Sequence, residues 1–172
     1  MAIRKGENMP QRTWKSKKRL TELAQANFKE GDKFITLTFA DQENLDIGNL
    51  DDAHKAFQLF IRRLARAYKT FKYIAVPEYQ EKRGAVHYHV ICNLGYIKKQ
   101  KLAEIWNHGF VKINRINTTK EVTKYISKYL TKNAEDVRFL KRRKFYCSNN
   151  LVRPEKLSYI AARSYLSRIR SA

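Results

Sequence analysis

The sequence predicts an α+β fold built on one antiparallel sheet, and three observations carry that reading. Short runs rich in β-branched and aromatic residues alternate with stretches of helical periodicity along the chain. A turn, Glu81-Lys82-Arg83-Gly84, lies between two of the short runs, which makes them a hairpin. The chain has 172 residues with 43% apolar content, enough for one compact domain with a real core.

The first 30 residues are polar and basic, with Arg4, Lys5, Arg12, Lys15, Lys17, Lys18 and Arg19. They are expected to form a basic arm, with a short helix suggested by Leu20, Leu23, Ala24 and Phe28. Gly31-Asp32 breaks that pattern, and Phe34-Ile35-Thr36-Leu37-Thr38-Phe39 reads as the first strand. Asn49-Leu50-Asp51-Asp52 then caps a helix. Ala53, Ala56, Phe57, Phe60, Ile61, Leu64, Ala65 and Tyr68 mark its apolar face, to about Thr70.

Phe71 to Val76 reads as a second strand stopped by Pro77, and Ala85 to Leu94 as a third. Lys98 to Asn107 reads as a short helix ended near Gly109, and Phe110 to Ile116 as a fourth strand. Thr118 or Thr119 caps a further helix through Lys132, with Glu121 in its first turn, where a carboxylate suits the helix dipole. The resulting βαββαβ order is the ferredoxin-like, RRM-like split βαβ arrangement. It leaves one sheet face for a site while helices cover the other. Residues 31–172 form one domain, ending in a basic extension from about 134, with helix expected after Pro154.

The charge balance narrows the function. There are 36 Lys+Arg against 16 Asp+Glu, a net charge of +20. Such a field concentrates polyanions and favours phosphate contacts with counterion release, so nucleic acid is the expected partner. Cys92 and Cys147 make no CxxC pair and no disulfide framework. With no secretory h-region, a reducing cytoplasmic compartment is expected. No apolar run approaches a membrane span, and there is no GxxxxGK[ST] phosphate loop.

Val86-His87-Tyr88-His89-Val90 carries the first chemical signal. On a strand the two histidines project on one side, about 7 Å apart at the backbone, and can converge on one cation. Glu78, across the hairpin just past the second strand, completes a His-His-Glu set, with Glu81 in the turn as a rival. Imidazole and carboxylate with open positions suit Mg²⁺ or Mn²⁺ in phosphate chemistry. The bland alternative is that the HxH spacing is chance. His54 and His108 are expected to be structural, and Cys92 points to the opposite face by parity.

The second signal is the helix carrying Tyr125 and Tyr129, four apart and so on one face, with Lys128 and Lys132 on a neighbouring face. A phenol is a feasible nucleophile only if a cation stabilises its phenolate, because an unperturbed Tyr is neutral at pH 7. Amphipathic packing with snorkelling lysines is the alternative. Lys124, Lys132 and the run Arg142-Arg143-Lys144 are candidate DNA contacts.

With these motifs in order, the chain resembles the HUH endonucleases, specifically the two-tyrosine replication initiators of rolling-circle plasmids and small single-stranded-DNA phages. Residues 34–39 are similar to the family's first motif, 86–90 to its His-hydrophobe-His metal motif, and 125–129 to its third. Pro77-Glu78-Tyr79, Trp106 to Val111 and Arg142 to Leu151 add secondary similarity. The resemblance implies that His87, His89 and Glu78 hold a Mg²⁺ or Mn²⁺ ion. It further implies that Tyr125 or Tyr129 attacks a single-stranded replication origin to leave a 5′-phosphotyrosine, and that Lys128 offsets developing charge. The YxxK spacing favours Tyr125 as first attacker. Without a helicase module, a host helicase and polymerase are the implied partners. A non-catalytic RRM-like binder, or an HUH transposase or relaxase, are the rival functions.

Overall fold

A computed structural model describes residues 11–118, 120–122, 124–125, 128–129, 132, 136–139 and 141–154. The elements are α1 (Gln11–Asn27), β1 (Lys33–Thr38), α2 (Leu50–Ala67), β2 (Tyr73–Tyr79), β3 (Val86–Cys92), α3 (Lys99–Trp106), β4 (Val111–Arg115), a 3₁₀ turn (Val137–Phe139) and β5 (Tyr146–Cys147). The expected tyrosine-bearing helix is helical at residues 120–122, 124–125, 128–129 and 132. The helix expected after Pro154 lies outside the described residues.

The sheet is antiparallel with strand order β4-β1-β3-β2-β5, so the α+β, ferredoxin-like reading holds. Strand parity sorts its side chains onto two faces. Ile35, Leu37, Ala75, Tyr88, Val90 and Cys92 meet α2 in the main core, where Phe57 stacks on Tyr88 at 4.1 Å. Phe34, Ile74, Val76 and Ile91 lie on the opposite face.

That opposite face is not open, as expected from sequence, but partly roofed. Leu20, Leu23 and Ala24 of α1, and Phe28 just after it, pack on it together with Val122, Tyr125 and Tyr129. The N-terminal helix is therefore longer than expected, and its second half is core rather than arm. Its end is tied down by Asn27, whose Nδ2 donates to the Val152 carbonyl at 2.7 Å while its Oδ1 accepts from the Val152 amide at 2.8 Å.

Local signals explain most boundaries. Asn49 caps α2, its side chain accepting from the amides of Asp51 at 2.9 Å and Asp52 at 3.4 Å. Thr118 accepts from the Glu121 amide at 3.4 Å, and Glu121 reaches back to the Asn117 amide at 2.9 Å. These two bonds, a variant of the capping box, start the tyrosine helix.

One boundary is corrected: β2 does not stop at Pro77 but runs through it to Tyr79. Gln80 donates to the Ala85 carbonyl, so by alternation the Glu78 and Val76 amides face β3 and the proline nitrogen faces the outer edge. There β5 pairs only with Ile74 and Ala75, and the missing N–H interrupts no ladder. The β5 strand itself, two residues long, had no periodicity to reveal it.

Candidate functional site

The extension of β2 sets the geometry. Glu78 is a strand residue directly opposite His87, and Val76 is opposite His89. Glu78, His87 and His89 thus share the face roofed by α1 and the tyrosine helix. The two imidazole centroids are 6.4 Å apart.

His89 is the centre of the cluster. Its Nε2 lies 2.6 Å from Glu78 Oε2 and its Nδ1 3.3 Å from Thr36 Oγ1. Burial pushes the imidazole pKa down, and Glu78 only partly restores it. A neutral ring beside a charged carboxylate donates from Nε2 to Glu78 and accepts at Nδ1 from the Thr36 hydroxyl.

Burial works against the Glu78 carboxylate, but hydrogen bonds from His89 and Lys132 outweigh it and hold the pKa at about 2. Lys132 Nζ lies 2.5 Å from Glu78 Oε1 and 3.1 Å from Glu81. Its ammonium is stabilised by both carboxylates, mainly through those hydrogen bonds.

His87 differs. Burial, then repulsion from His89, holds its pKa down at about 4, so it is a neutral ligand-competent imidazole at pH 7. Its Nε2 is buried and has no hydrogen-bond partner among the described residues. A buried polar atom left this way has a desolvation cost that a partner would relieve.

The tyrosines land unequally. Tyr129 stacks on the His89 ring at 3.5 Å between centroids and 9° between planes. Tyr125 stacks instead on Phe34 at 4.1 Å, with Phe34 6.0 Å from His89. The order is therefore Tyr125, Phe34, then His89 with Tyr129. Sequence spacing favoured Tyr125, whereas tertiary packing brings Tyr129 to the histidine. Burial and then the Glu78 charge push the Tyr129 phenol up, with Lys132 pulling the other way. Lys128 sits 5.5 Å from the Tyr129 ring centroid and is exposed, as is Lys124.

Other sequence candidates fall elsewhere. Arg142 pairs with Asp51 at the start of α2, at 2.7 Å. The Arg143 charge acts on His54, also in α2. Both therefore belong to the α2 side of the sheet and not to the histidine face, and Lys144 follows them half-buried. His54 is structural as expected, stacked on Tyr146 at 3.9 Å and bonded to Gln58. His108 contacts Gln42 at 3.3 Å. The signal missed in the sequence is the Lys132–Glu78–Glu81 contact, since no local spacing links residue 132 to a distant hairpin.

The donor chemistry fits a divalent cation: a neutral imidazole with an unpaired buried nitrogen, a second imidazole and a fully charged carboxylate on one face. His89 and Glu78 are nevertheless engaged with protein partners, and among the described residues no three His, Cys, Asp or Glu side chains are already gathered as a metal-holding group. Among the described residues, too, no helix is long and apolar enough to cross a membrane.

A family model described as Replication-associated protein ORF2 matches residues 32–134. That segment contains both histidines, Glu78 and both tyrosines. No curated protein matches the sequence. Among solved structures, the hypothetical protein ORF119 from Sulfolobus islandicus rod-shaped virus 1 is similar at 16% identity, over 70% of this chain and 95% of that one, with a TM-score of 0.46.

Proposed function

This chain belongs to the replication-associated protein ORF2 family, and from that premise we propose that it nicks and rejoins single-stranded DNA at a replication origin. The observation that carries the reading is the Tyr129 ring stacked on His89, which is itself bonded to Glu78. A phenol, two imidazoles and a carboxylate meet on one sheet face of a chain with net charge +20.

In this reading the Tyr129 phenolic oxygen attacks the scissile phosphorus. The bond to the 3′-oxygen breaks, and a 5′-phosphotyrosine and a free 3′-hydroxyl result. The phenolic proton leaves and one proton is taken up by the departing 3′-oxygen, so the exchange is balanced and needs no external energy source. Burial disfavours the Tyr129 phenolate, so positive charge beside it is a requirement of the mechanism. Among the described residues, the cations Lys132 and Lys128 lie close to it. Tyr125, one helical turn away, serves the second cleavage of the cycle. His87, His89 and Glu78 would hold Mg²⁺ or Mn²⁺, which when bound polarises the phosphate as a Lewis acid. The stack on His89 and the packing of Phe34 restrain the phenol before attack, which lowers the orientational entropy to be lost.

The test is adduct formation with Mn²⁺ and a single-stranded library of randomised sequence, mapped by mass spectrometry. Tyr129→Phe should abolish the initial adduct, and Tyr125→Phe should leave it while blocking transfer to a second strand. An adduct of unchanged yield in the double Tyr125→Phe, Tyr129→Phe variant refutes the nucleophile assignment.

One observation favours a second reading. The Glu78 charge is already neutralised by Lys132. A non-catalytic single-strand binder would look like this. Binding unaffected by chelator, with no cleavage product at any metal concentration, identifies that case.

A further inference from the structure

The edge strand β4 carries residues that take no part in the histidine–tyrosine cluster. Its register places Lys112 opposite Thr36, which is opposite His89. One step further, the Thr38 amide donates to the Phe110 carbonyl at 2.9 Å, so Phe110 lies opposite Thr38, which is opposite His87. Alternation on a strand puts Phe110 and Lys112 on the histidine face. Their neighbours Val111 and Ile113 pack in the core on the other face. Two strand spacings, about 10 Å, separate Phe110 from His87.

Phe110 is 77% exposed, although it directly precedes a well-packed strand. Its backbone is held firmly. The Trp106 indole donates to the Thr38 carbonyl at 3.1 Å, and the Ala40 amide to the His108 carbonyl at 2.8 Å. Gly109, at φ +146°, approaches so closely that a Cβ there would lie 2.3 Å from the Thr38 carbonyl oxygen. A phenyl ring fixed in water, in line with a histidine, beside an exposed lysine, contributes little to folding. Tyr96, the other highly exposed aromatic among the described residues, lies past the far end of β3 and shares no row with the histidines.

We propose that Phe110 is a stacking platform for an unpaired base flanking the scissile phosphate, and that Lys112 contacts the backbone of the same strand. This rests on the reading that the chain works on single-stranded DNA. Single-strand binders combine aromatic faces with a cationic track in this way, without reading sequence.

The test uses a fluorescein-labelled oligodeoxythymidylate and fluorescence anisotropy, in chelator so that no cleavage intervenes. Phe110→Ala should weaken binding by about 5- to 150-fold, the range for loss of one stacked base. Phe110→Trp should retain wild-type affinity, while Phe110→Leu, which keeps apolar bulk but has no π face, should behave like Ala. Lys112→Gln should reduce the slope of log affinity against log salt by about 0.7, as for one lost phosphate contact on a single strand. Thermal melting of each variant should match the wild type. Wild-type affinity in Phe110→Ala or Phe110→Leu overturns this inference alone. Failure of the wild-type protein to bind the oligonucleotide overturns it together with the DNA reading.

Discussion

Replacing Glu78 with Gln isolates the electrostatics of the site from its shape. Gln keeps the length of the side chain and an acceptor for the His89 Nε2–H, and it removes the charge that faces Lys132. In the wild type the carboxyl pKa falls from 4.5 to about 2 on folding. By linkage that difference corresponds to roughly 3 kcal/mol of stability at neutral pH. Lys132 is 44% exposed while Glu78 is only 14% exposed, so water screens part of the interaction. A discounted value of roughly 2 kcal/mol is the working figure. For a domain of this size it lowers the melting temperature by about 4–8 °C.

The sign of the pH dependence follows from the depressed pKa. The contribution is complete above the unfolded value of 4.5 and is lost as pH falls toward about 2. Calorimetry of wild type and Glu78→Gln in chelator, from pH 7 downward, should therefore show a gap that is constant to about pH 5 and closes below it. A gap that is absent at pH 7, or that persists unchanged at pH 2.5, refutes the reasoning that the charge of Glu78 is what binds the tyrosine helix to the hairpin.

Two further outcomes follow from the same geometry. Mn²⁺ at a hundred times its dissociation constant should raise stability by about 2.7 kcal/mol in the wild type, and His87→Ala should remove that gain while melting near the wild type in chelator. An Mn²⁺ shift that survives the substitution excludes His87 as a ligand. Gly109→Ala should destabilise by roughly 2–4 kcal/mol, because the added Cβ meets the Thr38 carbonyl oxygen and the Ala40 amide nitrogen at 2.3 and 2.4 Å with φ at +146°. Urea unfolding measures it, and an unchanged midpoint would show that the 106–111 segment is not held against β1.

Features set by backbone periodicity were legible without the fold. A strand alternates its faces, so His87 and His89 had to point one way and Cys92 the other. A helix repeats every 3.6 residues, so the buried face of α2 and its Asn49 cap could be read directly. Composition set the sign of the molecule's field, because 36 basic residues against 16 acidic ones leave an excess in any arrangement.

What packing decided lies between distant segments. The alternation of residues 73–79 does not say whether Pro77 ends the strand. That depends on which edge its nitrogen faces, and hence on pairing with β3 and the shortness of β5. The spacing of the two tyrosines favoured Tyr125, and only the docking of their helix over Phe34 and His89 brings Tyr129 to the histidine. Lys132 and Glu78 are 54 positions apart, and Phe110 meets the histidine row only through the strand between them. Such contacts are fixed by the burial of the whole chain, which no local window of sequence contains.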